Sequence, residues 1–332
     1  MATSLAEIRA KLQAQENRTG GNSTGGDNAI YPHWNIAEGS TAKVRFLPDG
    51  NSKNSFFWVE RLMIRLPFAG IKGQADSKPV IVQVPCVEMY GEACPVLAEV
   101  RTWFKDKSLE EMGRKYWKKK SYLFQGFVHD NPLSDDKTPA NPIRRFVISP
   151  QIFNIIKNAL MDPEMENMPT DYSAGLDFNI KKTSKGGYAD YSTSNWSRKV
   201  SPLTEAEQNA IQAHGLFNLT DFLPKKPGEA ELRIIKEMFE ASVDGQPYDN
   251  ERWGAYYRPY GLEAPAGATA DKQSASTETS APAKAPVAES TVPWHEDDEP
   301  QSSSQPIQVP KSTQSDKAAD ILAMIKARQN KS

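Results

Sequence analysis

The chain has 332 residues, 38% of them hydrophobic, and a mean hydropathy of −0.61. Forty basic and forty-two acidic side chains give a net charge of −2, which by itself indicates no class of partner. No run approaches the roughly 18 apolar residues of a membrane span, and the N-terminus lacks the apolar stretch of a signal peptide. Two cysteines are too few for a disulfide scaffold. These features predict a soluble intracellular protein.

The N-terminal segment, residues 1–28, has the pattern of a tethered helix. Residues 2–16 predict a short amphipathic helix with an apolar stripe of Leu5, Ile8 and Leu12. The stretch RTGGNSTGGDN that follows contains no apolar residue and predicts a flexible tether. This segment is therefore interpreted as an arm outside the core.

Residues 29–262 hold nearly all the aromatic side chains and predict a globular α+β domain. Strands are predicted at 43–47, 54–66, 80–84, 121–129, 142–148 and 176–182, the first two as a pair. A glycine turn at 184–187 leading into 188–191 predicts a hairpin. Helical periodicity appears at 97–120, and helices are predicted at 150–160, 202–214 and 228–241, the second capped by Ser201. Central strands with late helices favour a compact barrel or curled sheet with helical additions.

The remaining residues change in composition. Residues 263–310 are rich in Ala, Ser, Thr, Pro and Gln, include the acidic run Glu296–Glu299, and predict a disordered acidic linker. Residues 311–332 regain helical periodicity and predict a C-terminal amphipathic helix. Its Ile321 and Ile325 have the spacing of Ile8 and Leu12 in the arm. One hypothesis is that the two helices compete for the same groove.

Positive charge is concentrated in residues 101–199, where 17 basic side chains face 12 acidic ones. Within this window, Arg114–Phe124 (RKYWKKKSYLF) places five cations among four aromatic rings with no acid. Cations that follow phosphates and rings that stack on unpaired bases are what single-stranded nucleic acid requires. The same pairing recurs at residues 144–146 and 178–182. A single cluster of this kind would favour solvated charges next to aromatic residues of the core. Three clusters within this window favour binding of single-stranded nucleic acid.

Signals of catalysis or metal binding are poor. The sequence lacks the GxxxxGK[ST], GxGxxG and HExxH motifs, and its four histidines stand in no recognisable relation to a nucleophile. Cys86 and Cys94 are separated by seven residues, without the second close pair that a tetrahedral zinc site needs. The sequence predicts a protein that is not an enzyme.

Four motifs in order resemble one known family: RFLP at 45–48, CVEMYGEACPV at 86–96, KKKSY at 118–122 and GLDFNIKKTSKGGYADY at 175–191. Over roughly residues 40–200, the chain resembles the T-even-type bacteriophage single-stranded DNA-binding protein. The resemblance implies an OB-fold-like β-barrel core with a basic, aromatic cleft. It also implies cooperative, sequence-independent binding of single-stranded DNA during phage replication, recombination and repair, in the cytoplasm of the bacterial host.

Candidate binding residues come from the charge pattern and from the resemblance. The resemblance assigns Lys118, Lys119, Lys120, Tyr122, Tyr188, Tyr191, Tyr90 and Phe146. The charge pattern adds Tyr116, Trp117, Arg144, Arg145, Lys181 and Lys182. By analogy with the family, Leu5, Ile8 and Leu12 of the arm would contact a neighbouring copy on the strand, and the C-terminal tail would bind replication and recombination proteins. No membrane partner is expected.

The sequence departs from the family in two respects. The family pattern has a zinc site of one histidine and three cysteines, whereas here only Cys86 and Cys94 match, and Leu97 stands where the third cysteine would be. We therefore expect no zinc and no other cofactor. The first four residues also lack the basic cluster of the family's arm.

Two other functions remain open at this stage. Stacking and phosphate contacts do not themselves select the sugar, so an RNA-binding regulator on the same fold is one alternative. A non-catalytic replisome scaffold, whose tails bind partners, is the other.

Overall fold

The computed structural model describes residues 29–262 apart from residues 75, 135 and 137. The predicted arm with Leu5, Ile8 and Leu12, the acidic linker and the C-terminal helix lie outside the described residues. Among the described helices, none is long and apolar enough to cross a membrane.

The α+β prediction is confirmed: most strands form one seven-stranded sheet, whose pairings are all antiparallel, in the order β3-β2-β4-β1-β6-β9 with β5 also paired to β4. The strands are β1 (Thr41–Phe46), β2 (Val59–Phe68), β3 (Val80–Pro85), β4 (Lys119–Asp130), β5 (Arg144–Ile148), β6 (Leu176–Lys181) and β9 (Asn195–Val200). The predicted hairpin is also confirmed, as β7 (Thr183–Lys185) paired with β8 (Tyr188–Asp190). Strand β9 was not predicted.

The long strand β4 organises the sheet. Its residues 119–123 pair with β2, residues 122–126 with β5 and residues 126–130 with β1. At Gly126, a Cβ would lie 2.1 Å from the carbonyl oxygen of Arg45, so β1 approaches too closely for a side chain. The predicted pairing of the first two strands is wrong, because β1 and β2 each pair with β4 and not with each other.

The sheet is open. In the described part of the chain, β3 pairs only with β2 and β9 only with β6, so the two ends of the strand order do not meet. The prediction of a closed barrel is therefore wrong, although the prediction of a mixed fold built on an antiparallel sheet holds.

The helices are α1 (Pro95–Trp103), α2 (Glu110–Tyr116), α3 (Pro150–Leu160), α4 (Glu205–His214), α5 (Glu229–Val243) and the single turn α6 (Asn250–Trp253). Helix α3 has the predicted bounds. Helix α4 begins later than predicted, because Thr204 rather than Ser201 caps it, in a reciprocal capping box with Glu207.

Two hydrophobic clusters cover the inner face of the sheet. The first joins β2 and β3 to α1, α2 and α5, and contains Cys86, Cys94 and Leu97. The second is largely aromatic and joins β1, β4, β5, β6 and β9 to α3. A smaller cluster around Leu47 and Phe127 lies under α4 and residues 216–217.

Candidate nucleic-acid interface

The fold divides the basic-aromatic segment Arg114–Phe124 between two cores. Tyr116 is buried in the first cluster, where its hydroxyl and the hydroxyl of Ser242 lie 3.0 Å apart. Tyr122 is buried in the second, face to face with Phe153 at a ring-centroid distance of 3.5 Å. The prediction that these two tyrosines present faces to bases is wrong, because protein side chains already cover their rings.

Two of the predicted lysines are paired with carboxylates. Lys118 Nζ lies 2.7 Å from Glu88 Oε2, and Lys120 Nζ lies 3.5 Å from Glu60 Oε2. Burial alone would raise the pKa of Glu88, but hydrogen bonds from Lys118 and Arg101 outweigh it and lower the pKa. Neighbouring carboxylates thus neutralise much of the positive charge of the segment Arg114–Phe124.

Trp117 remains at the surface, half-buried between two cations. The Arg101 guanidinium carbon lies 5.8 Å and Lys118 Nζ 5.9 Å from the indole centre, and Phe104 meets it edge-on at 5.2 Å. The ring also packs against the first cluster, so only part of its surface is exposed, and its role in binding stays a prediction.

Arg144 and Phe146, on the inward-facing positions of β5, are structural. The guanidinium of Arg144 is buried, holds Asp136 through two hydrogen bonds of 2.9 and 3.0 Å, and lies over the ring of Tyr31. Phe146 is fully buried against Phe46. The prediction that these two side chains bind nucleic acid is wrong, because both are enclosed in the protein.

The hairpin separates its two predicted tyrosines. Gly186 and Gly187 both have positive φ, +61° and +83°, which gives a tight two-residue turn with Tyr188 opposite Lys185. Tyr188 is 61% exposed at this tip. Tyr191 is buried against His33, so the prediction of a second stacking ring here is wrong.

The remaining predicted residues, Lys181, Lys182 and Tyr90, are partly exposed. Lys182 Nζ donates to the carbonyl of Trp34 at 2.6 Å, and burial lowers the pKa of this lysine. Lys181 is half-exposed, opposite Thr41 in the sheet. The hydroxyl of Tyr90 donates to the carbonyl of Pro224.

Several cations lie on the face of the sheet opposite the two main cores. In the region formed by β2, β3, the first half of β4 and β5, here called the outer face, the register places Val59, Arg61, Met63 and Arg65 of β2, Gln83 of β3, Lys119, Ser121 and Leu123 of β4, and Arg145 and Val147 of β5. These strand positions carry four cations and no Asp or Glu. Only Lys119 and Arg145 were predicted.

The sequence contains a signal for the two residues that were missed. Along β2, Arg61 and Arg65 alternate with the buried residues Leu62, Ile64 and Leu66. An arginine that alternates with core residues must face away from the core.

The cations of the outer face are partly desolvated. Arg61 Nε donates to Ser121 Oγ at 3.2 Å. Burial lowers the pKa of Arg65, and no described carboxylate compensates for this loss of hydration. An anion beside Arg65 would stabilise its charged guanidinium, because that group has lost part of its hydration.

Arg145 lies beside aromatic rings at the border of the outer face. Its guanidinium carbon is 3.8 Å from the centre of the Phe222 ring and 5.7 Å from that of Phe217. Buried Gln125 fixes this segment, because its amide nitrogen donates to the carbonyls of Pro48 and Phe217 and its oxygen accepts from the Phe217 N–H, all at 2.8 Å.

The cysteines lie away from the outer face. Cys86 and Cys94 are buried free thiols in the first cluster, and Leu97 packs in the same core. Among the described residues, no group of three or more His, Cys, Asp or Glu side chains is placed to hold a metal ion. The absence of zinc stays a prediction.

Comparison with known proteins identifies no relative: no protein-family model and no curated protein matches the sequence.

Proposed function

We propose that the protein binds single-stranded nucleic acid without reading its sequence, and that the outer face is the surface that contacts the phosphates. The observation that carries the proposal is the arrangement of Arg61, Arg65, Lys119 and Arg145 on one side of the neighbouring strands β2, β4 and β5, where the positions named above include no acid. A polyanion gains from such a face because each neutralised phosphate releases counterions.

One feature supports binding of single strands rather than duplexes, and another supports binding without regard to sequence. Rings at the surface, such as Trp117 and Tyr188, can stack on unpaired bases, which a duplex does not offer. The cations contact phosphates, which carry no sequence information, so affinity should be similar for all sequences.

The finer assignments belong to the same proposal. Single-stranded DNA is the preferred ligand, and the family resemblance supports phage replication, recombination and repair as the setting. The open sheet would correspond to a partly open OB-fold-like core rather than to a closed barrel. Cooperative binding through Leu5, Ile8 and Leu12, and partner binding by the C-terminal tail, extend the proposal beyond the described residues.

Titration of the intrinsic fluorescence with homopolymeric DNA and RNA tests the proposal. We expect quenching by DNA, with an affinity that falls as salt rises, at a slope of about −0.7 for each phosphate neutralised. Equal or tighter binding of RNA would favour an RNA-binding regulator. Absence of binding to both polymers would reject the proposal and favour a scaffold.

A further inference from the structure

Cys86 and Cys94 flank a short closed loop. Cys86 directly follows β3, and the single turn Val87–Tyr90 comes next. The Glu92 N–H then donates to the Val87 carbonyl at 3.4 Å, so the chain folds back on itself before it reaches Cys94. Cys94 is the last residue before helix α1. This loop brings the end of β3 and the start of α1 together.

The two thiols meet inside the first hydrophobic cluster. Both are free, and they are 0% and 2% exposed. The Cys86 thiol donates a hydrogen bond to the Cys94 sulfur. The chain contains no other cysteine. Each thiol therefore has the other as its one disulfide partner within the molecule.

Backbone N–H groups distinguish the two sulfurs. Those of Leu97, Val96 and Val87 face the sulfur of Cys94, whereas one such group faces the sulfur of Cys86. The hydrogen bond from Cys86, together with these N–H groups, outweighs burial and lowers the pKa of Cys94. The same hydrogen bond, followed by burial, raises the pKa of Cys86. Cys94 is thus the thiolate of the pair, and the thiolate is the nucleophilic form of a cysteine.

The sulfur of Cys94 lies just below the surface. The residues on either side of it, Ala93 and Pro95, are exposed, and so are Gly91 and Glu92. A local opening of this short exposed segment breaks few buried contacts, and it would admit a molecule as small as a hydroperoxide. Larger oxidants would be excluded.

From this geometry we infer that Cys86 and Cys94 are a redox-active pair, which a hydroperoxide converts to a reversible disulfide. Two thiols in contact are sufficient for a disulfide, whereas a tetrahedral zinc site needs four ligands. In a reducing compartment, a pair of this kind is oxidised transiently and is returned to the dithiol by thiol–disulfide exchange. The inference goes beyond the proposed function and does not depend on it.

The reaction balances with the hydroperoxide, ROOH, as the oxidant. The Cys94 thiolate attacks one peroxide oxygen, the O–O bond breaks, and RO⁻ leaves and takes a proton from water, so that Cys94 becomes a sulfenic acid. The Cys86 sulfur then attacks the Cys94 sulfur. The S–S bond forms, the S–O bond breaks, and hydroxide leaves as water with the proton of Cys86. Two thiols have then lost two electrons, and ROOH has been reduced to ROH and water.

Mass analysis of the full chain tests the inference. The folded protein is treated with hydrogen peroxide, catalase removes the excess, and the remaining thiols are alkylated with N-ethylmaleimide in urea. The unmodified protein should lose the mass of two hydrogen atoms and take up no maleimide. Dithiothreitol should restore both alkylation sites. On a non-reducing gel the oxidised protein should run as a single chain, because the bond is intramolecular.

Two matched variants identify the attacking sulfur. Cys86→Ser removes the resolving thiol, so the sulfenic acid of Cys94 should accumulate and react with dimedone. Cys94→Ser should be oxidised about tenfold more slowly, because an ordinary thiol is only a few per cent thiolate near neutral pH. Equal rates of oxidation in the two variants would overturn the assignment of Cys94 as the nucleophile. The corresponding alanine variants serve if serine destabilises the core.

The unmodified protein decides the inference even if every variant fails to fold. Two alkylated thiols after peroxide treatment, a disulfide between two chains, or oxygen added to both sulfurs without a disulfide would each overturn it. None of these results bears on nucleic-acid binding, which the fluorescence titration measures separately.

Discussion

The guanidinium carbon of Arg145 lies 3.8 Å from the centre of the Phe222 ring. This contact joins strand β5 to the turn Leu219–Phe222, far apart in the chain. A guanidinium stacked on a ring is held in one orientation while the N–H groups at its edge can still donate. Arg145 is therefore held in place at the border of the outer face.

We expect Lys119→Ala with Arg145→Ala to weaken binding to all DNA sequences. The physical reason is that both cations lie on the same side of the sheet, where the proposed function has them neutralise phosphates. The salt slope should become shallower by about 0.7 for each phosphate that is no longer neutralised. Fluorescence titrations at several salt concentrations measure it.

Lys118→Ala with Lys120→Ala is the matched control, because it removes the same number of charges. These lysines are paired with Glu88 and Glu60, so the smaller change in slope is expected here. The motif alone predicted that this pair, too, contacts phosphates. A larger change in the control than in the outer-face variant would contradict the assignment of the outer face.

Gln125→Leu should destabilise the fold. Gln125 is fully buried and makes three hydrogen bonds to Pro48 and Phe217. Each buried backbone group left unpaired costs about 1–3 kcal/mol. The free energy of unfolding, measured with urea, should fall accordingly. A variant as stable as the unmodified protein would show that water or a shift of the segment replaces these bonds.

His129 should make stability depend on pH. Its Nδ1 lies 3.0 Å from Asp177 and its Nε2 2.7 Å from Glu207 of α4, while Arg45 lies near the same two carboxylates. The hydrogen bond with Asp177 raises the pKa of His129, although burial opposes the rise. The stabilisation by protonated His129 is thus complete below about pH 6.5, the pKa of histidine in the unfolded chain. It is lost as the pH rises through the higher pKa of His129 in the folded state.

The comparison with His129→Gln isolates this effect. The free energy of unfolding of the unmodified protein should fall relative to that of the variant as the pH is raised from about 6 to 9. Parallel pH profiles would show that the histidine does not hold α4 through its charge.

His33 should behave in the opposite way. Burial lowers its pKa to about 4, against an ordinary value of 6.5. The free energy of unfolding should therefore be highest above about pH 6.5, where the ring is neutral in both states. It should fall by about 3 kcal/mol as the pH is lowered through about 4. NMR titration of the ring resonances measures the pKa directly, and a value near 6.5 would contradict the prediction.

Local patterns in the sequence predicted most of the strands and helices, while tertiary packing determined which aromatic side chains are exposed. The bounds of α3 follow from Ser149, Pro150 and an apolar stripe, all of them local signals. In contrast, the burial of Tyr122 depends on Phe153, which reaches it only when α3 packs on β4. No local pattern distinguishes a core tyrosine from a stacking tyrosine.

Contacts between distant segments explain the other missed features of the site. The loop after β1 reaches residues 217–219 only because Asp49 is hydrogen-bonded to Leu219, 170 positions away in sequence. The open sheet likewise depends on β4, which pairs with β1, β2 and β5 together. Such pairings depend on the whole fold, whereas the alternation that exposes Arg61 and Arg65 could have been read from β2 alone.

Tyr188 and Tyr191, three residues apart, should respond to alanine substitution in different ways. Tyr188 is 61% exposed at the hairpin tip, whereas Tyr191 is 5% exposed against His33. Tyr188→Ala should weaken DNA binding by roughly 1–3 kcal/mol, with little change in salt slope or in stability. Tyr191→Ala should instead lower the free energy of unfolding by about 3–5 kcal/mol, as for other large buried rings.

Tyr191→Phe distinguishes packing from a role of the hydroxyl. The hydroxyl oxygen of Tyr191 is buried without a hydrogen-bond partner among the described residues, and burial raises the pKa of the group to about 12. Removing an unpaired buried hydroxyl relieves its desolvation cost, so this variant should be at least as stable as the unmodified protein. It should also bind DNA normally. Urea denaturation and fluorescence titration of the three variants measure both quantities. Loss of DNA affinity in a stable Tyr191→Phe would mean that the hydroxyl contacts the strand after a local opening of the hairpin.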